Sequence, residues 1–185
     1  MKWYAFFVKT GEEDTICRYL NQILSYYTEI DYNILVPKRE LIEYKLGKKT
    51  LVQKILFPGY VLVYTESILS IYNVILIVGW HSDLFALLRI EENFQEIRSE
   101  EIVPIINLVS NEGIINISTI FLEKDKVIIT DGPLAHYKGT IKKINPRKGR
   151  AKISLKFLNQ NCYFDISVKC LEKVNEEDIK NKILF

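Results

Sequence analysis

Histidine and cysteine are scarce: only His81 and His136, with Cys17, Cys162 and Cys170, stand among 185 residues. Neither histidine has a carboxylate or cysteine at ligand spacing and no C-x-x-C occurs, so no metal centre is expected. Three scattered thiols read as reduced cysteines of a cytoplasmic protein rather than a disulfide framework. P-loop, G-x-S-x-G and dinucleotide fingerprints are all missing. Adjacent acids such as Glu91-Glu92 and Glu100-Glu101 read as solvated. An enzyme is therefore not expected, and no cofactor. Long hydrophobic runs are lacking too. The longest, Ile68 to Trp80, is interrupted by Ser70, Tyr72 and Asn73 and falls short of the ~20 residues a membrane helix needs. Met1-Lys2-Trp3-Tyr4 leads straight into strand-like alternation without a signal-peptide pattern. The expectation is a soluble, monomeric chain with no membrane contact.

What is present is charge segregation. The net charge of +2 conceals a split: residues 1–123 carry 11 Lys and Arg against 16 Asp and Glu, or −5, while residues 124–174 carry 12 against 4, or +8. Residues 175–185 add −1. A domain-sized basic block is the electrostatic footprint of a polyanion partner.

The hydrophobic pattern divides the chain at the same place. Lys2–Lys9 reads as a strand, and Ile16, Tyr19, Leu20, Ile23 and Leu24 recur at helical spacing over residues 12–27. Strands over 32–45 and 50–57 flank the turn Leu46-Gly47-Lys48-Lys49, and Tyr60–Tyr64 reads as a buried strand. A helix over 68–76, a strand near Asp83–Ile90 and a helix from Ser99, with Pro104 inside it, complete residues 1–110. This order predicts an α+β sandwich, helices against an antiparallel sheet. Residues 111–123 read as an unusually apolar linker, part of which should pack on one domain. Short strands at Lys126–Thr130, Gly139–Ile144, Arg150–Phe157, Tyr163–Val168 and Leu171–Val174 then suggest a small SH3-like barrel over 124–174, with 175–185 as a tail.

Two segments carry a family resemblance. The first is Lys54-Ile55-Leu56-Phe57-Pro58-Gly59-Tyr60-Val61-Leu62-Val63, with Trp3-Tyr4 on the opening strand. The second is Val127-Ile128-Ile129-Thr130-Asp131-Gly132-Pro133-Leu134, followed by Lys138-Gly139-Thr140-Ile141 and closed by Leu171-Glu172-Lys173-Val174. In this order the chain resembles the NusG family of transcription elongation factors: an N-terminal NGN domain, a linker and a KOW domain. The resemblance implies that Trp3, Phe57 and Tyr60 line an apolar surface docking on the clamp helices of RNA polymerase, where large rings make good anchors. Non-template DNA is a further contact the sequence leaves open.

The basic block departs from the general family pattern. Along Arg150–Phe157, alternation directs Ala151, Ile153, Leu155 and Phe157 inward and Arg150, Lys152, Ser154 and Lys156 outward. Lys142 and Lys143 lie on the preceding strand, Arg147 and Lys148 at the hairpin tip, and His136 and Lys138 in the loop before. Self-repulsion among such cations is relieved by a polyanion. The apolar-Gly-Arg loop with which general members recruit protein partners is replaced by Leu158-Asn159-Gln160-Asn161. The basic surface resembles that of LoaP-type specialised paralogues, antiterminators that recognise an RNA hairpin in the nascent transcript. The residues expected to bind RNA are His136, Lys138, Lys142, Lys143, Arg147, Lys148, Arg150 and Lys152. One alternative is a general elongation or pausing factor whose KOW domain binds a ribosomal protein or termination factor. Another is a fold-switching paralogue whose KOW segment becomes helical, although Pro146 and the β-branched strands oppose stable helix there.

Overall fold

The structure, a computed structural model, describes residues 1–123, 126–137 and 139–171. Strand β1 (Lys2–Val8) opens the chain, followed by helix α1 (Glu13–Leu24), β2 (Tyr32–Leu35), β3 (Lys38–Lys45), β4 (Lys48–Ile55) and β5 (Tyr60–Thr65). Helix α2 (Ile68–Val78), the short strands β6 (Leu84–Leu87), β7 (Arg89–Ile90), β8 (Asn93–Phe94) and β9 (Glu96–Ile97), and helix α3 (Ser99–Ile106) follow.

The central sheet runs β2-β5-β1-β6, all antiparallel, with β9 also paired to β1. Alternation along β1 gives it two apolar faces. Tyr4, Phe6 and Val8 point to α1 and α2 and form one core with Ile16, Leu20, Ile71 and Ile75. Trp3, Ala5 and Leu62 belong to the opposite face, packed with Ile97, Ile102 and Ile105. Among the described residues no helix is long and apolar enough to cross a membrane.

Boundaries shift where local chemistry demands it. The single strand expected over 32–45 divides at Val36-Pro37 into β2, which joins the central sheet, and β3, which pairs with β4 in a separate hairpin. Proline has no N–H to continue the ladder. The strand expected at Asp83–Ile90 also divides, because β7 folds back on β8 through Glu91 at φ 55°. Helix α3 runs past Pro104, which leaves the Glu100 carbonyl without its helical donor but does not end the helix.

Beyond α3 come β10 (Ile114–Ile115), β11 (Ser118–Glu123), β12 (Lys126–Asp131), a 3-10 turn over Pro133–His136, β13 (Thr140–Asn145), β14 (Arg150–Phe157) and β15 (Gln160–Leu171). The order β12-β11-β15-β14-β13 forms a five-stranded second sheet. So the basic segment is β-structured over its described residues, apart from the 3-10 turn. Strand β11 comes from the stretch read as a linker. It pairs antiparallel with β12 and parallel with β15, and its Ile120 is fully buried. The expected last strand lies, apart from Leu171, outside the described residues. Gly132, at φ 86°, explains the D-G-P motif: a Cβ there would come within 2.7 Å of the Ser118 Cα on β11. On β14, Ala151, Ile153, Leu155 and Phe157 are buried while Lys152 and Lys156 are exposed, as alternation requires.

Candidate functional site

The aromatic motif is held from beneath by a buried acid. Phe57-Pro58-Gly59-Tyr60 closes a tight turn in which the Tyr60 N–H donates to the Phe57 carbonyl at 3.2 Å, with Gly59 at φ 86°. Pro then Gly with positive φ is the signature of a type II turn. The Glu13 carboxylate, fully buried in the first turn of α1, accepts the Gly59 N–H at 2.7 Å and the Gly11 N–H at 2.8 Å. Charge-assisted bonds to both backbone donors fix where Phe57 and Tyr60 emerge. Nothing local in the sequence ties Glu13 to Gly59, which lies 46 residues away.

The three rings expected to dock border one apolar cluster, but their ring contacts set Trp3 apart from the other two. Trp3 stacks on Tyr64 at 4.9 Å. Its strand neighbour Phe7, four residues on and so about 13 Å along β1, contacts Tyr60 at 5.8 Å. Phe57 and Tyr60 instead meet the second sheet. Phe57 stacks on Phe157 at 4.1 Å and meets Phe164 edge-on at 5.3 Å, and Tyr60 meets Phe157 edge-on at 5.4 Å. Phe57 is consequently 4% exposed.

Polar contacts complete this seam between the two units. The Asn159 N–H donates to the buried Glu101 carboxylate at 2.8 Å, so the loop at Leu158-Asn159 is engaged by α3. The Arg39 guanidinium donates to the Asp165 carbonyl at 2.6 Å and lies 5.5 Å from the Phe164 ring centre. Burial pulls Arg39 below the usual arginine range; nearby Asp165 opposes that shift and Arg150 adds to it. Its Nε is buried with no hydrogen-bond partner among the described residues. The Ser167 hydroxyl oxygen accepts the Ile42 N–H at 2.9 Å and an Arg150 N–H at 2.6 Å, while Arg150 also donates to the Ile42 carbonyl at 2.5 Å. The exposed Lys156–Glu100 pair, at 3.6 Å, adds little.

The predicted cations thus separate into groups. Arg150 is half-buried and committed to the seam. Lys143 and Lys152 are direct cross-strand partners on the outer face, with Asp165 beside Lys152 on its other side. Lys142 sits where the β13–β14 register shifts, and Lys142, Lys143 and Lys152 are all exposed. Arg147 and Lys148 are exposed at the hairpin tip, where the Lys148 N–H donates to the Asn145 side chain at 3.0 Å. His136 is exposed on the 3-10 turn, apart from that tip in sequence. Lys138 lies outside the described residues. No catalytic constellation emerges from these groups; the surface they make suits binding of an anion.

Known proteins share this organisation. The family described as "Transcription termination factor nusG" matches residues 1–106. The transcription termination/antitermination protein NusG of Pasteurella multocida is 26% identical over 193 residues, covering 94% of this chain and 96% of that protein. Its namesake from Thermus thermophilus is 27% identical, covering 83% and 88% respectively. A solved structure entitled "Domain interaction in Thermotoga maritima NusG" matches with a TM-score of 0.54 at 19% identity, covering 90% of this chain and 93% of that one. At that identity the likeness concerns the fold.

Proposed function

The chain belongs to the NusG family of transcription termination/antitermination factors, and we propose that within it the protein is a processive antiterminator carried to its operons by RNA. The α+β unit docks on the clamp helices of RNA polymerase through Trp3, Phe57 and Tyr60. The basic barrel holds a hairpin of the nascent leader transcript. Non-template DNA is an additional contact open to the docked unit. Tethering by RNA raises the local concentration of a weakly docking surface at selected transcripts without any new polymerase contact.

The observation that carries this reading is the exposed row of Lys142, Lys143, Arg147, Lys148 and Lys152 on one barrel hairpin, with Asp165 the acid paired directly against it. Phe57 is covered by Phe157, so docking through it requires the two units to part.

The test uses the full chain and leader-derived RNA hairpins, titrated at two salt concentrations. Arg147→Glu with Lys148→Glu should weaken hairpin binding at least about tenfold and lower the salt slope by roughly two. Unchanged binding by that double variant, or equal affinity for any polyanion, would overturn RNA targeting. The general elongation or pausing factor with a protein-binding barrel would then be the better reading.

A further inference from the structure

A groove of about 1000 Å³ lies between the β3–β4 hairpin of the first unit and the β13–β14 tip of the second. Tyr44 and Lys49 line one wall; Arg147, Lys148 and Lys169 line the other, with Arg150 between them. Tyr44 and Lys49 are direct cross-strand partners, so ring and ammonium sit side by side on one face. Tyr44 is 71% exposed. Five cations face two acids here, and one of those, Glu43, is ion-paired with Lys54.

A ring free to stack, flanked by cations on both walls, is the chemistry that receives a single polynucleotide strand: aromatic faces take bases while cations follow the phosphates. A paired stem offers no open base face to Tyr44, whereas unpaired nucleotides do. We infer that this groove binds an unpaired polynucleotide strand, the segment flanking a bound hairpin being its nearest source. The inference rests on the proposal that the barrel's cations hold RNA.

Because each unit supplies one wall, the site exists only while the seam is closed. Strand binding and exposure of Phe57 therefore oppose each other. By linkage, whatever separates the units weakens the strand, and the strand disfavours separation by the same factor.

The test compares two labelled RNAs on the full chain, a leader hairpin alone and the same hairpin with an unpaired flank. The flank should add about tenfold in affinity, the scale of one stacked base. Tyr44→Ala and Lys49→Glu, both at exposed positions, should each remove most of that gain and leave hairpin affinity unchanged. Phe57→Asp, which alters no groove residue but disrupts the seam, should remove the gain too. A flank that adds nothing, or a gain that survives Tyr44→Ala and Lys49→Glu, overturns the groove and leaves hairpin recognition standing. A gain that survives Phe57→Asp with the units shown to be separated overturns its two-unit construction. Failure of both RNAs to bind overturns the targeting proposal itself. Free single-stranded DNA that abolishes only the gain from the flank would support the groove and identify exposed DNA as a source; loss of that gain to single-stranded RNA alone would identify the transcript.

Discussion

The central sheet has two apolar faces that are closed by different means. On one, Tyr4, Phe6, Val8, Val61 and Val63 are covered by α1 and α2 of the same unit, all at 8% exposure or less. On the other, Trp3, Ala5, Tyr60 and Leu62 continue into a cluster that includes Phe157, Ile153 and Ile166 from a sheet about a hundred residues away. The first face is sealed by chain that has no other place to go. The second ends in stacked rings and hydrogen bonds to backbone carbonyls, contacts that two folded units could exchange for others. The difference separates a core from a surface that happens to be covered.

Phe6 and Phe57 offer the sharpest contrast. Phe6→Ala removes a fully buried ring from the helix-covered face and should cost about 3–5 kcal/mol, measured as a lowered denaturation midpoint of the whole first unit. If it cost no more than a surface substitution, the distinction between the faces would be lost. Next in size is Glu13→Ala, which leaves the Gly59 and Gly11 N–H groups without their buried acceptor. A loss of about 3 kcal/mol is expected, along with slackening of the turn that presents Phe57 and Tyr60. Chemical denaturation and aromatic NMR shifts would register both.

Phe57→Asp acts on the other face: it places an acid at a 4%-exposed position of the shared cluster and parts the units. Cysteine reactivity reads this opening. Cys162 lines the seam cavity beside Phe57 and Tyr60, and burial holds its thiol above the usual range. Parting the units exposes it and lowers that pKa, so more thiolate is present at a given pH and alkylation should accelerate severalfold. Cys17, whose pKa is raised by burial and then by Asp14, packs against the helix-covered core. Its rate should not change. Equal acceleration of both thiols would mean that the variant unfolds the chain rather than opening it.

Elements whose pattern is local were legible in the sequence. The alternation over Arg150–Phe157 gives strand β14 with its bounds and its inward face. The helical spacing of Ile16, Leu20 and Ile23 gives the buried side of α1. Pro37 announced the break between β2 and β3, but an otherwise continuous strand pattern concealed it. Strand β11 was less accessible, because its parallel partner β15 lies some fifty residues further on and an isolated apolar stretch does not name its partner. At the candidate site, alternation assigned Arg150 to the outer face of the barrel. What it could not supply is that Ile42 covers that face at this point. Glu13 and Glu101 were hidden for the same reason, their acceptor roles being set by backbone donors far along the chain.

Strand β10 governs how far the barrel can travel. Its two residues pair in parallel with Lys38 and Arg39 of β3, and only Asn116 and Ile117 separate it from β11 of the barrel. From Ile115 to Ser118 the extended chain reaches about 11 Å at most, so while β10 stays paired the separated barrel remains a short step from its seat. Releasing β10 moves the anchor back to Leu108, buried just after α3, and lengthens the reach to about 35 Å. The effective concentration of barrel at the seam falls steeply with that added length. A two-residue β-pairing thereby sets whether a parted seam recloses at once or leaves the covered rings free long enough to meet another surface.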